Sequence, residues 1–242
     1  MDTFEEFDQP IGPEKSAGAI IAHAFEIYKG IFLYGIVAFL IISAISYLVQ
    51  PVSGFNSAEM MEEMKDNGSS LTNIWQVTGF TYYAGLSGLV SLLLSPVYVG
   101  LLYIANKYNL KEKISFSDLF IGYRQNFLNI IIYGLISSIL IVISVSMCIL
   151  PMFFVLPFVL LGYPILLFEN ATFSEALSKS FAIAKANYGT LLGTAILGLL
   201  ISMAGVALCG IGIVFTFSFY FITMYSAYCA FCGRPRAIII KK

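Results

Sequence analysis

Four long stretches of this chain carry no charge at all. Gly30–Ala58, Asn67–Asn106, Gln125–Phe168 and Ala186–Gly233 lack Asp, Glu, Lys and Arg, over 29, 40, 44 and 48 residues. One crossing of a hydrocarbon core takes about 20 apolar residues as helix. The first two stretches can therefore supply one crossing each and the last two can supply two each, which predicts six. Backbone groups in lipid must be paired within the span, so only helices or a closed barrel will serve. Barrel strands alternate apolar and polar residues, whereas Ile31–Val49 and Ile130–Ile143 are apolar all round. With 59% hydrophobic and 11% charged residues, the composition belongs to no soluble fold of this size. The predicted class is all-α: a polytopic membrane protein with six transmembrane helices. One six-helix domain covers residues 19–242, with helices near 31–49, 86–105, 127–147, 152–168, 188–208 and 213–231. An acidic tail, residues 1–18, precedes it.

The basic residues divide unevenly between the two sides of such a topology. With six helices, the side holding both termini carries Lys15, Lys29, Lys107, Lys111, Lys113, Arg124, Lys179, Lys185, Arg234, Arg236, Lys241 and Lys242, and the other side only Lys65. The positive-inside rule then puts both termini in the cytoplasm. The first residues, Met1-Asp2-Thr3-Phe4-Glu5-Glu6-Phe7-Asp8, lack the basic region of a secretory signal, so Ile31–Val49 reads as a retained span. A net charge of −1 gives no sign of a nucleic-acid partner.

A threefold pattern emerges from this layout. Ala19–Lys29, Phe116–Arg124 and Phe173–Lys185 each have a helical apolar period and a basic residue near the end. Phe25, Phe120 and Phe181 precede Lys29, Arg124 and Lys185 by four positions. Ser115-Phe116-Ser117-Asp118 parallels Thr172-Phe173-Ser174-Glu175, and Asn126-Phe127 parallels Asn187-Tyr188. The pattern reads as three copies of an interfacial amphipathic helix followed by a membrane hairpin. Such a helix lies in the headgroup plane with its cation reaching for phosphate, so Lys29, Arg124 and Lys185 are candidate lipid-headgroup contacts. The alternative is that any loop entering a bilayer ends in a basic residue.

Chemistry-bearing motifs are scarce. No ionisable side chain falls well inside a predicted span, which argues against proton relays and ion-coupled transport; Glu169 reads as a solvated end residue. The single histidine, His23, reads as a surface residue and cannot by itself make a metal site. No phosphate loop or nucleophile elbow occurs, and neither cofactor nor metal is expected. Cys229 and Cys232 read as free thiols, while Cys148 and Cys209, both on external hairpin turns, are candidates for a disulfide. Met60, Met61 and Met64 fit an amphipathic lid, Ser57–Asp66, better than a copper site. Small residues at Ser87, Ser91 and Ser95, and at Gly189, Gly193 and Gly198, suit close helix packing within the chain or between copies. Pro51 is expected to stop the first helix, and Pro151, Pro157 and Pro164 to punctuate the fourth as a kinked packing helix on which no polar residues converge.

From Pro164 to Phe231 the chain resembles a broad family of uncharacterised bacterial six-helix membrane proteins. These include the membrane domain that accompanies glycerophosphodiester phosphodiesterases. Phe173-Ser174-Glu175-Ala176-Leu177, Ser180, Asn187 and the turn Cys209-Gly210-Ile211-Gly212 carry the likeness. They describe an amphipathic helix and a hairpin, so no phosphodiesterase activity is implied. The resemblance implies a bacterial inner membrane. The functional expectation is a non-enzymatic membrane-organising or accessory protein that engages lipid headgroups or a partner, with a homo-oligomer or another membrane protein as candidate partners. The alternative is a transporter or carrier of a lipid or other hydrophobic small molecule.

Overall fold

The computed structural model of the protein describes residues 12–58, 60, 79–147, 150–207, 212–233 and 235. Regular structure among them is helical throughout: α1 (Ala17–Ser53), α2 (Phe80–Asn109), a 3-10 segment (Phe116–Phe120), α3 (Ile121–Arg124), α4 (Phe127–Ser146), α5 (Leu150–Val159), α6 (Gly162–Phe168), α7 (Phe173–Ala186), α8 (Tyr188–Ala204), a 3-10 turn (Gly205–Ala207), α9 (Ile213–Thr216) and α10 (Phe219–Cys232). Five helical stretches are long and apolar enough to cross a membrane: α1, α2, α4, Pro151–Phe168 and Ile213–Cys232. A sixth is added if α7 and α8, bent by 107° where they meet, are taken as one span. That many apolar helices of crossing length mark a membrane protein.

The first helix departs from expectation. Ser16 caps it, its hydroxyl accepting from the Ala19 backbone N–H at 3.2 Å, and it then runs unbroken for 37 residues. The amphipathic segment and the span are therefore one helix rather than two. Lys29-Gly30 does not interrupt it, because the Tyr108 ring lies against Gly30, where a Cβ would meet ring atoms at 2.1 Å. Nor does Pro51 stop it. The helix ends at Gly54, whose φ of 68° is the left-handed conformation glycine adopts without penalty.

The core gathers around the second half of α2. Leu94 to Asn106 is buried apart from a half-buried Tyr98, while Tyr82 and Leu89 in the first half are exposed. Pro96 has no N–H to offer the Leu92 carbonyl, and the Ser95 hydroxyl donates to it instead, at 2.7 Å. The short segment 116–124 packs backbone to backbone on this region. A Cβ on Gly100 would fall 2.0 Å from the Leu119 carbonyl oxygen.

Pro164 accounts for the break between α5 and α6. It cannot bond back to Leu160, and its ring would crowd that carbonyl, so the helix opens at Leu160–Leu161. Two hydroxyls converge on the opening: Ser180 Oγ donates to the Phe158 carbonyl at 2.6 Å and Tyr133 Oη to the Val159 carbonyl at 2.9 Å. The expectation that no polar group meets the kink is thus corrected. A broken helix in lipid needs such partners from its neighbours.

The last helices close the bundle onto the first. On α8, Thr194, Gly198 and Ser202 are buried, and a Cβ on Gly198 would come within 2.9 Å of Thr223. This part of the small-residue stripe therefore packs inside the chain. On the other side, α9 and α10 meet α1: Tyr28 Oη donates to the Phe215 carbonyl of α9, and the Phe25 and Phe219 rings lie 4.5 Å apart.

Candidate functional site

Three hydroxyl caps begin the three segments that carry Phe and a cation. Ser115 and Thr172 form full capping boxes with Asp118 and Glu175, each acid accepting from the cap's own N–H at 2.8 Å. That pairing satisfies two otherwise orphaned donors at once. The bond from the Thr172 backbone holds the Glu175 carboxyl below its ordinary range, and the Thr172 hydroxyl adds to the effect. Ser16 has Ala19 where an acid would stand, so it caps with its hydroxyl alone. From Ser16 to Lys29 is the same spacing as from Thr172 to Lys185; Ser115 to Arg124 is four residues shorter, about one helical turn. The shortfall explains why the middle segment is a 3-10 turn plus one short α-turn.

The three Phe and the three cations face outward together. Phe25, Phe120 and Phe181 are 38%, 40% and 50% exposed, and Lys29, Arg124 and Lys185 are all exposed. A spacing of four puts each Phe and its cation on one helix face. Among the described residues the ion pairs are Lys107–Asp118 at 2.9 Å and Lys179–Glu169 at 2.6 Å, and neither involves the outward cations.

On α7 this outward face borders a groove. A cleft of about 490 Å³ lies between α4, α5 and α7, lined by Leu140, Val155, Phe158, Leu177, Ser178 and Phe181 among others. The volume lies in the range of small-molecule sites, about 300–1,000 Å³. Its apolar wall includes Phe158 and Val159, whose carbonyls are already occupied by Ser180 and Tyr133. Nearby acids are engaged too. Glu169 is held by Lys179 through both oxygens and accepts from Tyr228 Oη at 3.0 Å, so it is a paired residue rather than a merely solvated helix end.

A second, more polar cleft, about 930 Å³, lies between α1 and the end of α2, lined by His23, Glu26, Tyr108, Asn109, Lys111 and Glu112. His23 is half-buried there, its Nδ1 3.0 Å from Ser226 Oγ, which corrects its reading as a surface residue. Below it Asn109 Nδ2 donates to Tyr225 Oη, which donates to Asn106 Oδ1, both at 3.0 Å. Sequence reasoning missed this chain, because Asn106 and Tyr225 lie 119 positions apart. Among the described residues no three His, Cys, Asp or Glu side chains gather as metal ligands. Cys229 is buried and Cys232 half-buried near the end of α10. Cys148 and Cys209, Met61 and Met64, and most of the proposed lid lie outside the described residues.

No family model, curated protein or solved structure matches this chain.

Proposed function

We propose that this protein crosses a bacterial inner membrane six times, with both termini in the cytoplasm. In this reading it serves there as a non-enzymatic organising or accessory protein that grips anionic headgroups. One observation carries the proposal: each of three capped segments presents an exposed Phe and, one turn on, an exposed cation. The Phe can enter the acyl boundary while the cation stays among phosphates; in α7 this is the arrangement of an interfacial helix, whereas in α1 the pair sits on the helix that continues into its span. The bend between α7 and α8 supports it further, since it lets α7 lie along the surface while α8 crosses. The asymmetric charge distribution supports the orientation. The three segments are best understood as copies of one unit, the middle copy short by a turn.

Each near-surface cation is worth about 1 kcal/mol toward anionic lipid, or roughly fivefold in affinity. The test is spin-labelled lipid association in reconstituted bilayers. The protein should enrich phosphatidylglycerol over phosphatidylcholine in its motionally restricted shell. Replacing Lys29, Arg124 and Lys185 together with Gln should remove most of that preference; an unchanged preference rejects the proposal. A carrier of hydrophobic molecules is the second reading, favoured by the groove against α7.

A further inference from the structure

We infer that the groove between α4, α5 and α7 is a specific seat for one anionic membrane lipid. An acyl chain would lie between α5 and α7, with its phosphate drawn to Lys185 one turn beyond Phe181. The inference rests on the headgroup-gripping reading above and narrows it to one of the three segments.

The geometry of α7 is the first support. At about 100° per residue, Ser174, Ser178 and Lys185 fall within a wedge of roughly 40° on the helix, with Phe181 at its edge. Ser174, Ser178 and Phe181 all line the groove, so Lys185, one turn beyond Phe181, stands on the groove's own face. Ala176, Ser180 and Ala184 occupy a different face and are buried. The helix thus turns two hydroxyls, one aromatic ring and one cation toward the same opening.

The charge balance is the second support. No carboxylate lines the groove. Glu169 is bound to Lys179 and Tyr228, and Glu175 is turned back onto the Thr172 N–H. Among the described residues Lys185 is in neither ion pair, so its charge is available to an anion. The third support is the wall. The backbone carbonyls exposed by the Pro164 break would have made it polar, but Ser180 and Tyr133 donate to those of Phe158 and Val159. What remains toward the groove is Leu140, Val155, Phe158, Val159 and Leu177, a surface suited to methylene groups. An apolar channel with a cation one turn beyond its aromatic end is complementary to an acidic phospholipid and not to a soluble anion.

The test uses the full chain in nanodiscs that contain trace phosphatidylglycerol or phosphatidylcholine with a photoactivatable diazirine in the acyl chain. Adducts are mapped by peptide mass spectrometry. The phosphatidylglycerol probe should label the peptides holding Val155 and Leu177 several-fold more than the exposed lipid-facing residues Leu40 and Leu48. Ser178→Trp, which fills the groove, should lower that labelling at least fivefold with both probes. Lys185→Gln should lower it about fivefold for phosphatidylglycerol and leave phosphatidylcholine unchanged. Leu140→Trp blocks the groove from the opposite wall, and it decides the matter if Ser178→Trp does not yield folded protein. Labelling spread evenly over exposed helix faces, or unaltered by the groove-filling variants, overturns the seat. If that happens while the triple Gln variant still abolishes the general preference for anionic lipid, the broader reading stands and only the seat is lost. If the triple variant changes nothing, the broader reading fails with it.

Discussion

The first and third capped segments share their spacing and differ in their outcome. Ser16, Phe25 and Lys29 stand at the same intervals as Thr172, Phe181 and Lys185, yet α1 runs on into its span whereas α7 turns by 107° into α8. The residues just after the cation account for this. In the third segment Asn187 leaves the helical region, at φ −130° and ψ 36°, and its side-chain amide donates to the Ile183 carbonyl at 3.1 Å. The Asn187 backbone N–H donates to the same carbonyl at 3.0 Å, so backbone and side chain together close the last turn of α7 where the chain leaves the helix. The first segment has Ile31 in that place, buried in the core, and Tyr108 packed on Gly30. Equal spacing and matching outward faces therefore leave the path of the chain undecided. The decision falls to one amide and to what packs beside it.

Matched substitutions after the two cations should separate the segments most strongly. Gly30→Leu drives a side chain into the Tyr108 ring and should cost about 1–3 kcal/mol, the usual range for overpacking. Ala186→Leu, at the equivalent and exposed position, should stay within about 0.5 kcal/mol. Unfolding by denaturing detergent in mixed micelles reads both; equal losses would show that Tyr108 does not secure α1. Next in size, Ser180→Ala leaves the Phe158 carbonyl without its hydroxyl and should cost about 1–2 kcal/mol. Faster amide exchange in α7, with α1 unaffected, is the accompanying signature.

Asn187→Leu should cost about 1 kcal/mol and open the bend. Spin labels at Ala182 and Leu197 would then move apart by pulsed dipolar spectroscopy, and an unaltered distance would remove Asn187 as the cause. The smallest effect is on pH. Glu175 has its folded pKa below the usual carboxylate value, so its capping contribution is complete above that usual value. It is lost as pH falls through the lower folded one. Acidification into that window should fray the start of α7 while the start of α1, capped by Ser16 without an acid, holds. Amide exchange at Glu175 and Ala19 compares the two, and equal fraying would exclude the carboxylate as the reason.

Much of the scaffold was legible because charge is costly in lipid. The gaps between charges placed α4 and the stretch Pro151–Phe168 within a residue or two of their observed ends. Pro151, Pro157 and Pro164 were all expected to punctuate this stretch, but Pro157 lies inside α5, so the missing N–H alone did not single out the break before Pro164. The straightness of α1 was not legible: Lys29-Gly30 reads as an ending, and only a ring from Tyr108 makes it a continuation. The groove escaped for the same reason. Leu140, Val155 and Phe181 announce nothing singly, and Ser180 and Tyr133 reveal their role only once the carbonyls they meet are in place. The outward Phe and cation pairs were legible because they depend on spacing within one helix.

The contact between α1 and α10 has a consequence for how the protein is made. His23 and Ser226 are 203 positions apart, and at about 5–20 residues per second a ribosome takes roughly 10–40 s to travel between them. Throughout that interval Ala24, Ile27 and their neighbours have no α10 to rest on. α1 therefore waits in the bilayer for α10, which leaves the nascent chain vulnerable well after α1 is in place.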